Sequence, residues 1–212
     1  MSKKNEINEY WSKFYQSDNA QIDLNGPSDF SKFVLNEIKK NNINKIIEFG
    51  CGNGRDTLFF IENQICVFAF DKCEQAINAI QKKCGKNKYL QLKIMDIVTD
   101  AFPEQLIEIS PKIIYARFFL HALDDEAIDI FIKKSSKSMA PGDMMFVEYR
   151  TIKDLNRKKF TDEHYRNYLD PKNIVNFAEK KDLQCTYEVE GTGMAIWKDD
   201  NAHVARQIFV KI

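Results

Sequence analysis

The arrangement of residue types along this chain predicts an α/β protein built on a doubly wound sheet. Short β-branched and aromatic runs alternate with longer amphipathic stretches, the pattern of strands joined by crossover helices. The first strand-like run, Lys45–Phe49, passes directly into Gly50-Cys51-Gly52-Asn53-Gly54 and then into a helical pattern at Thr57-Leu58-Phe59-Phe60. Glycine lets the backbone bend sharply and places no Cβ between chain and ligand. A strand feeding such a bend and then a helix makes a nucleotide-sized cradle at the carboxyl end of a parallel sheet. The next strand-like run, Ile65–Phe70, is followed at once by Asp71, whose carboxylate can accept hydrogen bonds from both hydroxyls of a ribose.

Each element has a local reason. Residues 4–16 place Ile7, Tyr10, Trp11, Phe14 and Tyr15 on one helical face, and Gly26-Pro27-Ser28 then breaks the chain. Phe30, Phe33, Val34, Leu35 and Ile38 mark a second helix, so that residues 4–41 form a helical lead-in to the sheet. After the strand at Lys45–Phe49 come a helix over Arg55–Asn63, a strand over Ile65–Phe70, a helix from Glu74 to about Cys84 and a strand over Tyr89–Met95. Ile113–Ala116 is short and wholly apolar, as suits a strand covered on both faces. Asp124–Ser138 is helical, with acids at its start where the helix dipole favours them. Pro141-Gly142-Asp143 is a turn, Met144–Glu148 a fifth strand and Pro171–Lys181 a last helix. Cys185–Val189 and Val204–Val210 read as two closing strands. No internal repeat divides the chain, and 212 residues fit one domain over 1–212.

Bulk properties narrow the function. With 31 basic and 31 acidic residues the formal charge is zero, so no global field recruits nucleic acid or an anionic membrane. No apolar run approaches the ~20 residues of a membrane span. The polar start, Met1-Ser2-Lys3-Lys4-Asn5-Glu6, is unlike a signal peptide. The five cysteines, Cys51, Cys66, Cys73, Cys84 and Cys185, form no C-x-x-C pair and read as reduced residues of a cytoplasmic protein. Three histidines and no H-E-x-x-H leave a metal requirement without candidates.

The glycine bend is not a dinucleotide fingerprint, because Arg55 stands where G-x-G-x-x-G needs its third glycine, and it is not a phosphate loop, because no lysine follows Gly54. Its spacing, Glu48-x-Gly50-x-Gly52-x-Gly54, resembles motif I of the class I S-adenosylmethionine-dependent methyltransferases. The resemblance continues through Asp71 and Met95-Asp96-Ile97 and covers roughly Ile46 to Val147. It implies a Rossmann-like sheet of seven strands with the last antiparallel, and S-adenosylmethionine as cofactor. It also implies roles. Glu48 lies near the methionine amino group, and Gly50, Gly52 and Gly54 give the close backbone approach. Asp71 holds the ribose, Asp96 the adenine amino group and the Ile97 backbone a ring nitrogen, while the Ala116 or Arg117 carbonyl receives the methionine amino group. The plainer reading of Asp71 and Asp96 is as solvated strand-end acids. Asn53 departs from the family's small residues, and Arg55, long for a position facing a sulfonium, is expected to turn toward a carboxylate or the acceptor.

The acceptor side follows the fourth strand, in Ala116-Arg117-Phe118-Phe119-Leu120-His121. It lacks the Asn-Pro-Pro-Tyr or Asp-Pro-Pro-Tyr motif of enzymes that methylate amino groups of DNA bases, which argues against DNA. His121 has two readings: a general base on a hydroxyl, or a cap for the helix beginning near Asp124. The polar, aromatic stretch of about 150–169 reads as a lid-like insertion carrying acceptor specificity. Arg117, Arg150, His164 and Arg166 would converge on a small anionic acceptor; the alternative pairs these arginines with Glu148, Asp124, Asp125 and Glu163. Tyr10, Trp11 and Tyr15 either cover the cofactor or pack on the sheet. R-F-x-L-H after strand four, E-x-R after strand five and H-Y-R before the last helix also resemble small bacterial enzymes that methylate building blocks of surface glycans such as capsule polysaccharide, which implies O-methylation of a sugar or phosphate-type group. The competing functions are methylation of protein or RNA and a non-catalytic nucleotide-binding scaffold.

Overall fold

A computed structural model describes Tyr10, Trp11, Lys13, Phe14 and residues 26–159 and 164–212. Of the helix expected over 4–16, the four described residues are helical; Ile7 and Tyr15, like Glu163, lie outside the described residues. Helix α1 spans Asp29–Asn41 and is capped by Ser28, whose hydroxyl accepts the Ser31 N–H. Then follow β1 (Lys45–Phe49), α2 (Arg55–Glu62), β2 (Cys66–Asp71), α3 (Glu74–Cys84), β3 (Leu90–Ile94), β4 (Ile113–Arg117), α4 (Asp125–Ser138), β5 (Met144–Arg150), α5 (Pro171–Glu179) and β6 (Leu183–Gly191). A small hairpin, β7 (Ile196–Trp197) with β8 (Asp200–Asn201), precedes β9 (Val204–Lys211).

The seven-stranded sheet has the order β3-β2-β1-β4-β5-β9-β6. The first five strands are parallel, and β9 runs antiparallel to both β5 and β6. The chain therefore moves outward from β1 in one direction to β3 and then in the other to β5. The reversal between β1 and β4 opens a crevice at the carboxyl ends of the strands, where such sheets bind ligands. Period-two alternation sorts the core. Ile46, Ile113, Tyr115 and Phe146 face α1, α2 and α3 through Phe30, Val34, Phe60 and Ile80, whereas Ile47, Ile114, Ala116 and Val147 face α4 and α5 through Phe131, Ile128 and Ile174.

Two details depart from expectation and both concern the site. Strand β5 runs on through Tyr149 and Arg150, because β9 pairs them with Ala205 and Val204. The β7–β8 hairpin, too short to leave a periodic signal in the sequence, carries Asp200 into a buried position. Among the described residues, no helix is long and apolar enough to cross a membrane.

Candidate functional site

A cavity of about 580 Å³ opens at the ends of the first four strands, between Phe49-Gly50, Phe70-Asp71, Met95-Asp96 and Phe118-Phe119. Its wall beside β1 depends on glycine. Gly50 has φ 70°, and a Cβ there would stand 2.6 Å from Phe119 Cδ2, so any side chain would drive the aromatic wall inward. The Gly50 and Cys51 N–H groups donate to the Phe70 carbonyl at 2.8 and 3.1 Å, fastening the bend to β2. Gly54 serves a different purpose. It has φ 82°, and its added Cβ would meet Ile80 Cγ1 at 2.7 Å, so its bareness lets α2 pack on α3. Gly50 lines the cavity, whereas Gly52 and Gly54 are not among its lining residues.

Three acids end three strands, and their environments differ. Asp71 lines the cavity; its Oδ2 accepts the Gly52 N–H at 3.0 Å and its Oδ1 the Cys73 N–H at 2.9 Å. The Lys72 N–H also bonds this carboxylate; with about four lone-pair sites in all, it keeps acceptor capacity for an incoming hydroxyl. Burial raises the Asp71 pKa, opposed by those N–H groups. Asp96 also lines the cavity, with Oδ1 accepting the Val98 N–H at 2.9 Å. Glu48 lies deeper, behind the bend, where its Oε2 accepts the Thr57 hydroxyl at 2.6 Å. Burial pushes its pKa up to about 8, and Asp56 and Asp71 add to the rise against the Thr57 hydrogen bond.

The end of β4 is held by buried charge. Arg117 Nε donates to Glu148 Oε1 at 2.8 Å, and Arg206 Nε donates to Glu148 Oε2 at 2.7 Å, so one carboxylate is shared by two guanidiniums. Asp56 lies 3.9 Å from Arg117 and accepts the Tyr115 hydroxyl at 2.6 Å and the Ser28 hydroxyl at 2.9 Å. Burial opposes ionisation of Asp56, but Arg117 and the hydrogen bonds from Tyr115 and Ser28 outweigh it and hold its pKa low. Phe118 then turns into the left-handed region at φ 53° and lines the cavity, its ring 4.5 Å from the Arg117 guanidinium and 5.5 Å from that of Arg150.

Arg150 is clasped by two carboxylates: Nη1 donates to Asp154 at 2.6 Å and Nη2 to Asp200 at 2.6 Å. Asp154 also accepts the His203 N–H at 2.7 Å and lies 3.3 Å from Lys159 Nζ. The two ends of the stretch expected as an insertion lie side by side, Thr151 forming a bridge with Leu169. Asn167 ties the stretch down by donating its N–H to the His121 carbonyl at 2.8 Å and its side-chain amide to Leu123 and Asp125.

His121 is buried beneath this strap. Its Nδ1 faces the Arg150 N–H at a long 3.5 Å. Burial, and then the charges of Arg150, Arg166, His164 and Arg117, hold its pKa well below the ordinary value. His164 stacks on Tyr10 with 4.2 Å between ring centroids and meets Trp11 edge-on at 5.2 Å. Trp11 and Tyr165 line the cavity mouth. The described part of the leading aromatic cluster thus stands at the cavity rather than on the sheet.

Several expectations are corrected. The cap of α4 is Asp124, which accepts the Ala127 N–H at 2.8 Å, and not His121. Arg117 pairs with Glu148 as the ion-pair alternative has it, but the partners of Arg150 are Asp154 and Asp200, not Asp124 or Asp125; Glu163 lies outside the described residues. Arg55 does turn away from the bend, yet it meets the Gly26 and Pro27 carbonyls at 3.0 and 3.5 Å instead of a carboxylate. The sequence reading missed Asp56, Phe118, Asp154 and Asp200. Asp154 lies four residues beyond Arg150, but Arg150 ends a strand, so helical spacing does not announce the pair, and Asp200, fifty residues away, carries no local signal at all.

These residues fit an adenosyl-methionine ligand. Aromatic walls accept a base, two strand-end carboxylates retain lone pairs, and the Gly50 wall has no room for a side chain. Fold and site together define an S-adenosylmethionine-dependent methyltransferase. A family model described as "Methyltransferase domain" matches residues 22–187, and the chain belongs to that family. Solved structures agree in fold. A SAM-dependent methyltransferase from Anabaena variabilis is 15% identical, covers 100% of this chain and 96% of its own, and superposes with a TM-score of 0.70. The N-methyltransferase NodS from Bradyrhizobium japonicum, in complex with S-adenosylhomocysteine, is 14% identical with coverage of 97% and 98% and a TM-score of 0.70. Magnesium protoporphyrin IX methyltransferase from Synechocystis, also with bound S-adenosylhomocysteine, is 10% identical over 86% of this chain and 81% of its own, with a TM-score of 0.64. No curated protein matches the sequence. The cofactor of this enzyme is S-adenosylmethionine.

Proposed function

We propose that the enzyme transfers the methyl group to an oxygen of a small molecule carrying an anionic group. The observation that carries this reading is the pair of guanidiniums, Arg117 and Arg150, set 4.5 and 5.5 Å from the Phe118 ring that lines the cavity, with Arg166 and His164 near the same buried His121. Arg117 shares Glu148 with Arg206 and also lies 3.9 Å from Asp56, so an anion entering beside Phe118 would join an ion-paired network already in place. The likeness of the Arg117–His121, Glu148–Arg150 and His164–Arg166 runs to enzymes of surface-glycan assembly supports a sugar or phosphate-type acceptor of the cytoplasm.

Bound S-adenosylmethionine supplies a methyl group activated on a cationic sulfur. The residues assigned to holding it are Asp71 toward the ribose, Asp96 and the Ile97 N–H toward the adenine, and Gly50 with the Ala116 or Arg117 carbonyl and Glu48 toward the methionine end. The protein's own work is orientation and exclusion of water, and orientation alone supplies on the order of 7–11 kcal/mol. Trp11 and Tyr165 at the mouth serve exclusion. The expected general-base role of His121 draws little support, since its Nδ1 faces the Arg150 N–H and neighbouring cations weaken its affinity for a proton. An acceptor oxygen that is already anionic needs no base.

The test is methyl transfer from labelled S-adenosylmethionine to paired acceptors, phosphorylated sugars and uronic acids against their neutral parents. Label should enter only the anionic members. Label appearing in protein or RNA instead, or in the neutral members alone, overturns the proposal. With an anionic acceptor, His121→Ala should keep turnover within about threefold, because the roughly 10²–10⁴-fold contribution of a base is not in play. A larger loss that higher pH restores would assign His121 the base role after all.

A further inference from the structure

The loop after β3 enters the cavity through Met95, Asp96, Ile97 and Val98 and is folded upon itself. Asp96 Oδ1 accepts the Val98 N–H at 2.9 Å, Asp100 Oδ2 accepts the Asp96 N–H at 3.0 Å, and the Asp96 carbonyl accepts the Asp100 N–H at 2.8 Å. Those turns engage the N–H groups of Asp96, Val98 and Asp100 and none of the carbonyls of Ile97, Val98 and Asp100. One side chain collects all three. Lys134 Nζ, projecting from α4, donates to the Ile97 carbonyl at 2.7 Å, the Val98 carbonyl at 3.1 Å and the Asp100 carbonyl at 2.7 Å. An ammonium has three N–H donors, and here each is spent on the same six-residue loop. On the same helix, one turn earlier, Ile130 lines the cavity, so α4 touches the loop from behind and the ligand space from the side.

We propose that Lys134 is a positioning residue for base recognition: by gathering three carbonyls of the loop it holds the Asp96 carboxylate and the Ile97 N–H toward the cavity, and thereby sets the preference for adenine. This inference rests on the assignment of Asp96 and Ile97 to the adenine ring. A hydrogen-bonding site that reads an amino group rejects an analogue lacking it, because the site's own polar groups are then left unpaired. A loop free to move loses that discrimination before it loses ligand contact altogether.

The experiment compares S-adenosylhomocysteine with S-inosylhomocysteine, which has an oxygen in place of the amino group, by calorimetric titration of the unmodified protein and of Lys134→Met, Lys134→Arg and Asp96→Ala. The unmodified protein should favour the adenosyl ligand by at least about tenfold. Lys134→Met should weaken the adenosyl ligand by roughly tenfold and the inosyl ligand by less than about threefold, so that the preference collapses, and Lys134→Arg should restore part of it. Equal weakening of both ligands, or an unchanged preference, overturns the proposal. Asp96→Ala separates the two claims: if it leaves the preference intact, the loop does not read the base and the underlying assignment fails, whereas loss of preference in Asp96→Ala but not in Lys134→Met refutes the lysine alone. Should Lys134→Met fail to fold, Lys134→Gln gives the same comparison with one amide donor retained.

Discussion

The cavity and the charged cluster behind Phe118, proposed above as the acceptor side, are built from different materials. On the cavity side the walls are backbone, aromatic rings and strand-end acids, and the hydrogen bonds that set them join residues close in sequence or neighbouring strands, as between Asp71 and the Gly52 and Cys73 N–H groups. The charged cluster is not among the cavity's lining residues; its side chains are held by ion pairs across long stretches of chain, as between Arg150 and Asp200 or Arg206 and Glu148. Backbone geometry tolerates wholesale replacement of side chains, and the fold that supplies it is common to chains at 10–15% identity. An ion-paired cluster persists only if distant residues change together.

The contrast breaks first at Gly50. Alanine there must hold a left-handed φ, at a cost of about 1–2 kcal/mol, and must also displace Phe119, which its Cβ would meet at 2.6 Å. Gly50→Ala should lower affinity for S-adenosylhomocysteine by about two orders of magnitude in calorimetry. Gly54→Ala suffers a comparable collision, but with Ile80 between two helices. It should lose stability with a much smaller change in affinity. Equal losses of affinity would mean that both glycines face the ligand.

The second effect is expected on the other side. Arg150→Ala leaves Asp154 and Asp200 buried without their guanidinium, and breaking such a pair from one end costs about 3–5 kcal/mol. Urea denaturation should record that loss, while cofactor affinity of the folded variant changes by less than about threefold. A full retention of stability would show that water already reaches these carboxylates and would weaken the distinction between the two sides.

The difference in materials also decides what could be read from the sequence. The order of strands and helices is a local pattern and falls where expected within a residue or two. The glycine bend and the acids are local patterns too; Gly50, Asp71 and Asp96 line the cavity, whereas Glu48, Gly52 and Gly54 do not. Local spacing could not give the partners of the arginines. Nothing in Thr151–Lys159 announces that Asp154 would be the buried hub of Arg150, Lys159 and His203, and nothing in the polar run around Lys198 and Asp199 marks the hairpin that brings Asp200 there. Such pairings exist only once β9 has docked between β5 and β6. The Ser28–Asp56–Tyr115 contacts likewise join three separate elements.

Glu48 offers a finer test on the cofactor side. Its folded pKa of about 8 lies above the ordinary 4.5, so the native protein keeps a proton that the unfolded chain has released. Stability from this group is complete below the lower value and is lost as pH rises through the upper one, with a slope of about 1.4 kcal/mol per pH unit where a whole proton separates the states. Between about pH 5 and 8 the unmodified protein should lose stability on this account, and Glu48→Gln, an isostere of the protonated acid, should remove that share of the slope in a series of urea titrations. Parallel curves for the two proteins would place Glu48 in contact with water and leave the bend without its buried acid.

The smallest effect probes strain on the acceptor side. Phe118 holds φ 53° while its ring lies against the Arg117 and Arg150 guanidiniums and meets His121 edge-on at 5.2 Å. Removing the ring costs the same contacts whether alanine or glycine replaces it. Only glycine escapes the left-handed penalty, so Phe118→Gly should be more stable than Phe118→Ala by about 1 kcal/mol, the reverse of their order in ordinary strand or helix positions. The denaturation midpoints of the two variants decide it. If alanine is the more stable, the backbone relaxes once the ring is gone, and the left-handed turn is then held by the two paired guanidiniums through the ring and not by the chain around it.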